Sequence, residues 1–378
     1  MRFLVTSTAG AGHYGPLAPF VRSFLAGGHD VLVAGPPALR ESVRDAEFWA
    51  VDDPPPAEMA AVYARLPEVT HDEANALVVS EVFARLDAGA ALPRLREAIS
   101  VWRPDIVVRE TAEFAGAIAA SLSGVPHARV GIGLVSMERT LTDIATPNID
   151  ALRAAHGLGP HVLAEEPFLT LFPASLEDPA VPELPRTARF RDPSWVAAEP
   201  GSRPLVYVTF GSVTGGMPMF AAAYSAALAA VADLDADVLL TVGTAADPTS
   251  FGPVPPHVRI ERWVDQAAVL ARASAMVCHG GGGSTLGALA AGVPLVVVPL
   301  FAEDQFANAR RVAAVGAGVL TEPPGIRAAL DTVLGEPSYR STARALGAEL
   351  AGQPSTDEAA SVLAGSVRTR ADTGRPPV

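Results

Sequence analysis

His279-Gly280-Gly281-Gly282-Gly283-Ser284-Thr285 lies between an apolar run, Ala275-Met276-Val277-Cys278, and a helix-forming run from Leu286 to Ala291. The order reads as strand, glycine loop and helix start. Backbone N–H groups at such a start converge on one spot, and the helix dipole makes that spot favourable for a phosphate. Glycines let the backbone approach a bulky anion without Cβ clashes. Ser284 and Thr285 add hydroxyl donors, and His279 can bring an imidazole N–H to the same anion. A second apolar run, Leu295-Val296-Val297-Val298, leads through Pro299 to Glu303-Asp304-Gln305. The loop and the polar cluster are therefore expected at the carboxyl ends of neighbouring strands, where α/β sheets bind ligands.

The rest of the chain repeats this pattern twice over. The first half opens with a strand at Phe3–Thr6, a glycine loop from Gly10 to Gly15 and a helix from Leu17 to Ala26. Further strands are expected at Asp30–Ala34, Phe48–Val51, Ile106–Val108 and Ala128–Val130. Residues 52–91 read as polar and helical, interrupted by Pro54-Pro55-Pro56. Eight prolines between Leu163 and Pro204 read as irregular chain and a linker. The second half restarts with a strand at Leu205–Phe210 followed by Gly211-Ser212. Strands recur at Val238–Val242, Val258–Ile260, Met276–Cys278 and Leu295–Val298, with helices at Met219–Ala232 and Ile326–Leu334. Strands alternating with helices mean parallel sheets joined by crossovers, one sheet per half. Residues after Pro376 are expected to fray.

Composition narrows the function. The chain has 378 residues, enough for two cores. Its net charge of −13 offers no basic stripe to track a nucleic acid, so that partner is excluded. A single cysteine, Cys278, rules out an intrachain disulfide framework, sits in an apolar strand as core, and fits a reducing cytoplasm. The longest apolar run, Leu286 to Ala302, is broken by Gly292, Pro294 and Pro299, so no membrane span is expected. All 28 basic residues are arginine. Gly10-Ala11-Gly12-His13-Tyr14-Gly15 is a literal G-x-G-x-x-G after a strand. A nicotinamide site also needs an acid at the end of the second strand, and that strand ends Val33-Ala34-Gly35-Pro36. Asp30 stands at the wrong end.

Three elements in fixed spacing carry a resemblance: His279-Gly-Gly-x-Gly-Ser, then Gly292-Val293-Pro294, then Asp304-Gln305-x-x-Asn308-Ala309. Together they resemble the donor site of family 1 glycosyltransferases of GT-B architecture, in particular the actinomycete natural-product enzymes. The resemblance implies an α/β fold of two Rossmann-like, doubly wound parallel-sheet domains facing a central cleft. It implies an acceptor domain over 1–190, a linker over 191–204 and a donor domain over 205–378, with the last helix packing back on the first domain. Gly12-His13 with Pro16-Leu17 matches the family's loop whose histidine is the general base. Sugar transfer to a hydroxyl needs such a base, and a carboxylate to fix its tautomer. Glu110, after Asp105-Ile106-Val107-Val108-Arg109, matches the family's acid; Glu113 competes for that role.

The resemblance extends to the donor contacts. Trp263-Val264-Asp265-Gln266 is similar to the segment that holds the nucleotide base, although the family usually has Pro where Asp265 stands. Gly211 and Ser212 match the diphosphate contact, as do His279, Gly281, Gly282, Gly283, Ser284 and Thr285. Asp304 and Gln305 match the pair that binds sugar hydroxyls. Plant relatives with uridine donors have Glu at the position of Gly287, where it binds the ribose. Its absence leans toward a thymidine-diphosphate deoxysugar.

The implied activity is inverting transfer of a sugar from a dTDP- or UDP-sugar to a small hydrophobic aglycone, in the cytoplasm. The nucleotide sugar is a co-substrate, and neither a cofactor nor a metal is expected. Phe83, Phe114 and Met137 are the candidates for acceptor contact. A homodimer is left open. Two alternatives share the donor motif: a nucleotide-sugar epimerase, which would not need His13, and a non-catalytic activator of another transferase.

Overall fold

The computed structural model describes residues 1–160, 166–212 and 214–365; the stretch after Pro376 lies outside them. The chain forms two compact units. One comprises Met1–Leu171, Pro179–Pro193 and the chain from Pro354; the other comprises Phe172–Asp178 and Ser194–Gln353.

The first unit is built on a seven-stranded sheet in the order β3-β2-β1-β4-β5-β6-β7. Its strands are β1 (Arg2–Thr6), β2 (Asp30–Gly35), β3 (Glu47–Ala50), β4 (Ile106–Glu110), β5 (His127–Val130), β6 (Phe168–Thr170) and β7 (Thr187–Arg189). Every pairing is parallel. Buried Leu4, Leu32 and Val107 from the sheet pack with Leu92, Leu95 and Ile99 of the helix Ala88–Trp102. Such near-continuous apolar strands are what helices on both faces of a parallel sheet require.

The second unit repeats the topology with six strands in the order β10-β9-β8-β11-β12-β13. These are β8 (Leu205–Thr209), β9 (Asp237–Thr241), β10 (Val258–Glu261), β11 (Ala275–Cys278), β12 (Leu295–Val297) and β13 (Gly318–Leu320), again all parallel. In each sheet the strand order reverses direction at one place, between β1 and β4 and between β8 and β11. Ligands of open α/β sheets bind outside the carboxyl ends of strands at such switch points.

Three features differ from the sequence reading. The stretch read as irregular chain between Leu163 and Pro204 contains β6 and β7. Its prolines all fall outside these strands, and each strand has only three residues, too short for a periodic signal. Strand β13 was also unread, for the same reason of length. The glycine loop of the first half is shorter than expected. Gly10, at φ 111°, makes the turn alone, and the helix Ala11–Ala26 begins directly after it, with Pro16 and Pro19 inside. Burial of Tyr14, Leu17, Phe20, Val21 and Phe24 outweighs the two lost backbone donors. His13 is thereby placed in the first turn of a helix, not in a loop.

The chain from Pro354 packs within the first unit. Arg191 N–H donates to the Pro354 carbonyl at 2.9 Å, and the Ser23 hydroxyl lies 2.7 Å from Thr356 Oγ1 and donates to Asp357 at 2.7 Å.

Candidate active site

Glu110 is the last residue of β4 and is fully buried. Register pairs Thr6 with Arg109, so Glu110 stands beside the chain leaving β1. Its Oε1 accepts from Thr8 Oγ1 at 2.9 Å and Thr8 N–H at 3.3 Å, and its Oε2 accepts from Ala112 N–H at 2.6 Å. His13 Nδ1 lies 3.2 Å from the same Oε1. Burial alone would push the Glu110 pKa up. The charge and hydrogen bond of His13, with the Ala112 and Thr8 donors, outweigh that and hold it below the ordinary carboxylate value. An ionised Glu110 can only accept, so Nδ1 carries the proton and Nε2 is the basic nitrogen. The His13 side chain keeps 21% of its surface exposed while Glu110 keeps none, the placement of a group that meets a substrate and one that orients it.

Glu113 does not join this pair. Its carboxylate accepts from the Thr6 hydroxyl and from Gly116 N–H at 2.9 and 3.1 Å. Burial raises its pKa to about 7. The alternative partner for His13 is thus committed elsewhere.

Sequence reasoning missed what holds the turn after β4. Arg109 is fully buried and makes a two-pronged pair with Glu166, Nε to Oε2 at 3.2 Å and Nη2 to Oε1 at 2.9 Å. Its Nη1 donates to the carbonyls of Glu110 (3.1 Å), Thr111 (2.9 Å) and Glu113 (3.1 Å). One guanidinium therefore pins the backbone of both acids. Fifty-seven residues separate Arg109 from Glu166, and no local pattern links them.

Beside this site lies a cavity of about 250 Å³, lined by Phe83, Phe114, Val82, Ala91, Leu95, Met59 and Tyr63 among others. Phe83 sits on the π-helix Val78–Asp87, and its ring meets the His13 imidazole edge-on at 5.2 Å between centroids. Two of the expected acceptor contacts, Phe83 and Phe114, line the cavity. Met137 does not: it lies on the helix Val135–Ala155, against Gly133.

In the second unit, His279 follows β11 directly. It is enclosed by two glycines: a Cβ on Gly211 would stand 3.2 Å from its Cε1, and one on Gly281 would stand 2.6 Å from its Nε2. Burial lowers its pKa to about 4, so the imidazole is neutral at physiological pH and any contact with phosphate is dipolar. Among the described residues its Nδ1 and the Thr285 hydroxyl are buried with no hydrogen-bond partner, and buried polar groups are seldom left so. The helix Gly282–Ala291 begins here with Gly281 as N-cap and no capping side chain, leaving the first-turn N–H groups of Gly282, Gly283 and Ser284 to another acceptor. Gly280, at φ 89°, turns the chain so closely over the next element that a Cβ would lie 2.7 Å from the Gln305 carbonyl. Asn308 Nδ2 ties this loop down through the Gly280 carbonyl at 2.8 Å.

The remaining donor candidates separate into contacts and braces. Asp304 is half-buried at the start of the helix Glu303–Val315. Gln305 is buried, and its Oε1 accepts from Leu300 and Phe301 N–H at 2.9 and 3.2 Å, so that half of the amide shapes the loop. Ser212 and Trp263 are exposed, Trp263 at 66%, and Val264 is half-buried. Asp265, where the family has Pro, adopts φ −67° and caps the helix Gln266–Leu270 through Ala267 and Ala268 N–H at 3.1 and 3.3 Å. That φ is the one a proline ring imposes. Gln266 donates to the Gly283 carbonyl at 3.3 Å. Gly287 has a packing role: a Cβ there would lie 2.9 Å from Gln266 Nε2 and 3.2 Å from Leu270. Among the described residues, no group of three or more His, Cys, Asp or Glu side chains is arranged to hold a metal ion. No helix among them is long and apolar enough to cross a membrane.

The raised pKa of Glu113 carries a sign. Its folded value, about 7, exceeds the ordinary value of 4.5, so the folded state holds the proton more tightly than the unfolded one. This contribution to stability is full at low pH and is lost as pH rises through about 7. Glu113→Gln removes it. The parent should therefore lose stability relative to Glu113→Gln as pH rises from about 4.5 to 7, measured as the midpoint of denaturant unfolding at each pH. A pH-independent difference would show that Glu113 ionises normally.

Comparison with known proteins shows the family. Residues 22–155 and 225–365 match the N-terminal and C-terminal domains of the family described as erythromycin biosynthesis protein CIII-like. The L-demethylnoviosyl transferase of Streptomyces niveus is 32% identical over 98% of this chain and 99% of its own. The elloramycin glycosyltransferase ElmGT of Streptomyces olivaceus is 32% identical over 96% and 97%. The crystal structure of the glycosyltransferase VinC in complex with DTDP superposes with a TM-score of 0.78 at 25% identity, covering 98% of this chain and all of that one. With that sequence identity along its whole length, and two sheets of Rossmann order each carrying a polar site at its switch point, the chain belongs to the EryCIII-like family of GT-B glycosyltransferases of antibiotic biosynthesis.

Proposed function

We propose that this transferase moves a deoxysugar, with inversion, from a thymidine-diphosphate donor to a hydroxyl of a small apolar aglycone. The observation that carries the reading is the His13–Glu110 pair beside an apolar cavity. The aglycone occupies that cavity of the first unit, and the nucleotide sugar occupies the His279–Thr285 loop of the second. Nε2 of His13 takes the acceptor proton as the oxygen attacks C1 of the sugar, and Glu110 stabilises the imidazolium that forms. The C1–O bond to the diphosphate breaks on the opposite face. The departing charge is met by the uncapped N–H groups at the start of the helix Gly282–Ala291 and by the neutral His279. One in-line displacement inverts C1. Asp304 and the amide nitrogen of Gln305 are the groups available to the sugar hydroxyls. A base aligned on a carboxylate is what an epimerase or an activator protein would not need. Thymidine is favoured because Gly287 offers no carboxylate to a ribose, and because VinC binds DTDP. The lone, buried cysteine accords with a cytoplasmic setting.

The catalytic part is tested by turnover with a simple alcohol acceptor. His13→Ala should lower kcat by roughly 10²–10⁴-fold while donor binding is retained. Glu110→Gln should show a smaller loss of the same kind. Turnover of His13→Ala at the parent rate would remove His13 from the mechanism.

Donor recognition is tested by thermal shift and calorimetry. Thymidine diphosphate should stabilise the protein more than uridine diphosphate at equal concentration, approaching about 2.7 kcal/mol at 100 times its Kd. His279→Ala should weaken nucleotide-diphosphate binding by about 1.5–3 kcal/mol, the value of a hydrogen bond to a charged group. Equal affinity in variant and parent would refute the loop as the diphosphate site.

The Arg109 clamp separates stability from activity. Arg109→Met alone removes the two-pronged partner of the buried Glu166 carboxylate, a loss of about 3–5 kcal/mol. Replacing both residues with Met removes the two charges together and should restore much of the melting temperature. It should not restore kcat, since the carbonyls of Glu110, Thr111 and Glu113 still lack their donor. Recovery of both Tm and kcat would mean that the clamp does not position Glu110.

A further inference from the structure

The cavity of the first unit has an unusual electrostatic lining. Its walls are mostly apolar, and among the described residues its only ionisable groups besides Tyr63 are acids: Asp52 and Asp53, exposed beside Val51, with Asp87 and Glu113 further along the lining. Among the described residues no arginine or histidine lines it, and the chain contains no lysine. The acids are not equivalent. Glu113 spends its carboxylate on Thr6 and Gly116. Asp87 is half-buried at the end of the π-helix Val78–Asp87, and its side chain makes no hydrogen bond or ion pair among the described residues. Phe83, which meets His13 edge-on, lies four residues before Asp87, so the two share one helix face and both line the cavity.

A half-buried carboxylate without a partner is costly, and a ligand that brings a donor relieves that cost. A ligand that brings a second carboxylate meets like charge in a poorly screened space. We propose that this cavity selects its aglycone by charge, taking one that presents an ammonium or another N–H donor to Asp87 and rejecting one that presents a carboxylate there. The inference rests on the reading of the cavity as the acceptor site. Burial raises Asp87 to about 6, with the His13 charge opposing and Asp53 and Glu110 adding to the rise, and this agrees with a carboxylate lacking its counter-group.

The test uses three probes on one skeleton. Each is a naphthalene bearing a hydroxymethyl group on one ring and, on the other, an aminomethyl, a methyl or a carboxylate group. Dissociation constants are measured at about pH 8, where the amine and a carboxyl of this kind are both charged. The proteins are the parent, Asp87→Asn, and Ala91→Phe, which fills the cavity; Asp87→Ser replaces the Asn variant should that one not fold. The parent should bind the amine roughly tenfold or more tightly than the carboxylate, with the methyl probe between. Asp87→Asn should bring the three constants together, and Ala91→Phe should weaken all three. Equal constants in the parent, or an unchanged ratio in Asp87→Asn, with binding still lost in Ala91→Phe, would overturn charge selection and leave the acceptor site standing. Binding untouched by Ala91→Phe, or no binding of any probe, would overturn the acceptor site and this inference with it.

Discussion

Placing an ionised carboxylate at the buried end of a central parallel strand is the constraint on which the first unit is organised. Glu110 is fully buried, and the protein supplies donors from three directions: Thr8 on the chain leaving β1, Ala112 on its own turn, and His13 on the first helix. Each comes from a different element, and their convergence requires the β1–β4 pairing in one register. Moving Thr6 off Arg109 by one residue would carry Thr8 away from the acid and turn each side chain to the other face. The same charge that must be satisfied is the one that sets the imidazole tautomer. Folding and chemistry thus draw on the same hydrogen bonds.

Arg109 extends that logic into the core. A guanidinium with five donors is well matched to a bidentate acid on one side and a tight turn of carbonyls on the other. Lysine could not span both, and this chain uses none. Glu138 plays a parallel part for the turn after β5, accepting from Thr111 Oγ1 at 2.5 Å and from Ile132 and Gly133 N–H at 2.8 and 3.1 Å. The carboxyl ends of β4 and β5 are therefore braced by buried side chains, where a solvated loop would move.

Under the proposed function the second unit meets its donor with backbone more than with side chains. The cradle at His279–Thr285 is glycine, and its one imidazole is neutral. Fixed dipoles of this kind hold a diphosphate in ground and departing states alike and need no proton balance. The Asp265 cap shows how a departure from a family pattern can keep a geometry: a side chain that accepts two N–H groups reproduces, by hydrogen bonding, the φ that a proline ring would impose.

Much of this was legible in the amino-acid sequence. Alternating apolar and helical runs determined two parallel sheets, because period and strand length are local properties. The spacing of His279, Gly281, Ser284 and Asp304-Gln305 determined a glycine loop between strand and helix, because its elements are close in the chain. His13 and Glu110 could be named because one follows a glycine turn and the other ends an apolar strand. What only the tertiary structure decided depends on contacts between distant residues. Glu110 rather than Glu113 faces His13 because the Thr6 hydroxyl and Gly116 N–H claim the latter. Arg109 pairs with Glu166 and not with its neighbour Glu110, a choice made across 57 residues. Strands β6, β7 and β13 exist because a neighbouring strand supplies backbone partners to three residues that have no strand signal of their own. Asp87 stands on the cavity with Phe83 four residues before it, but which segments of the chain face that helix is set by packing between distant residues.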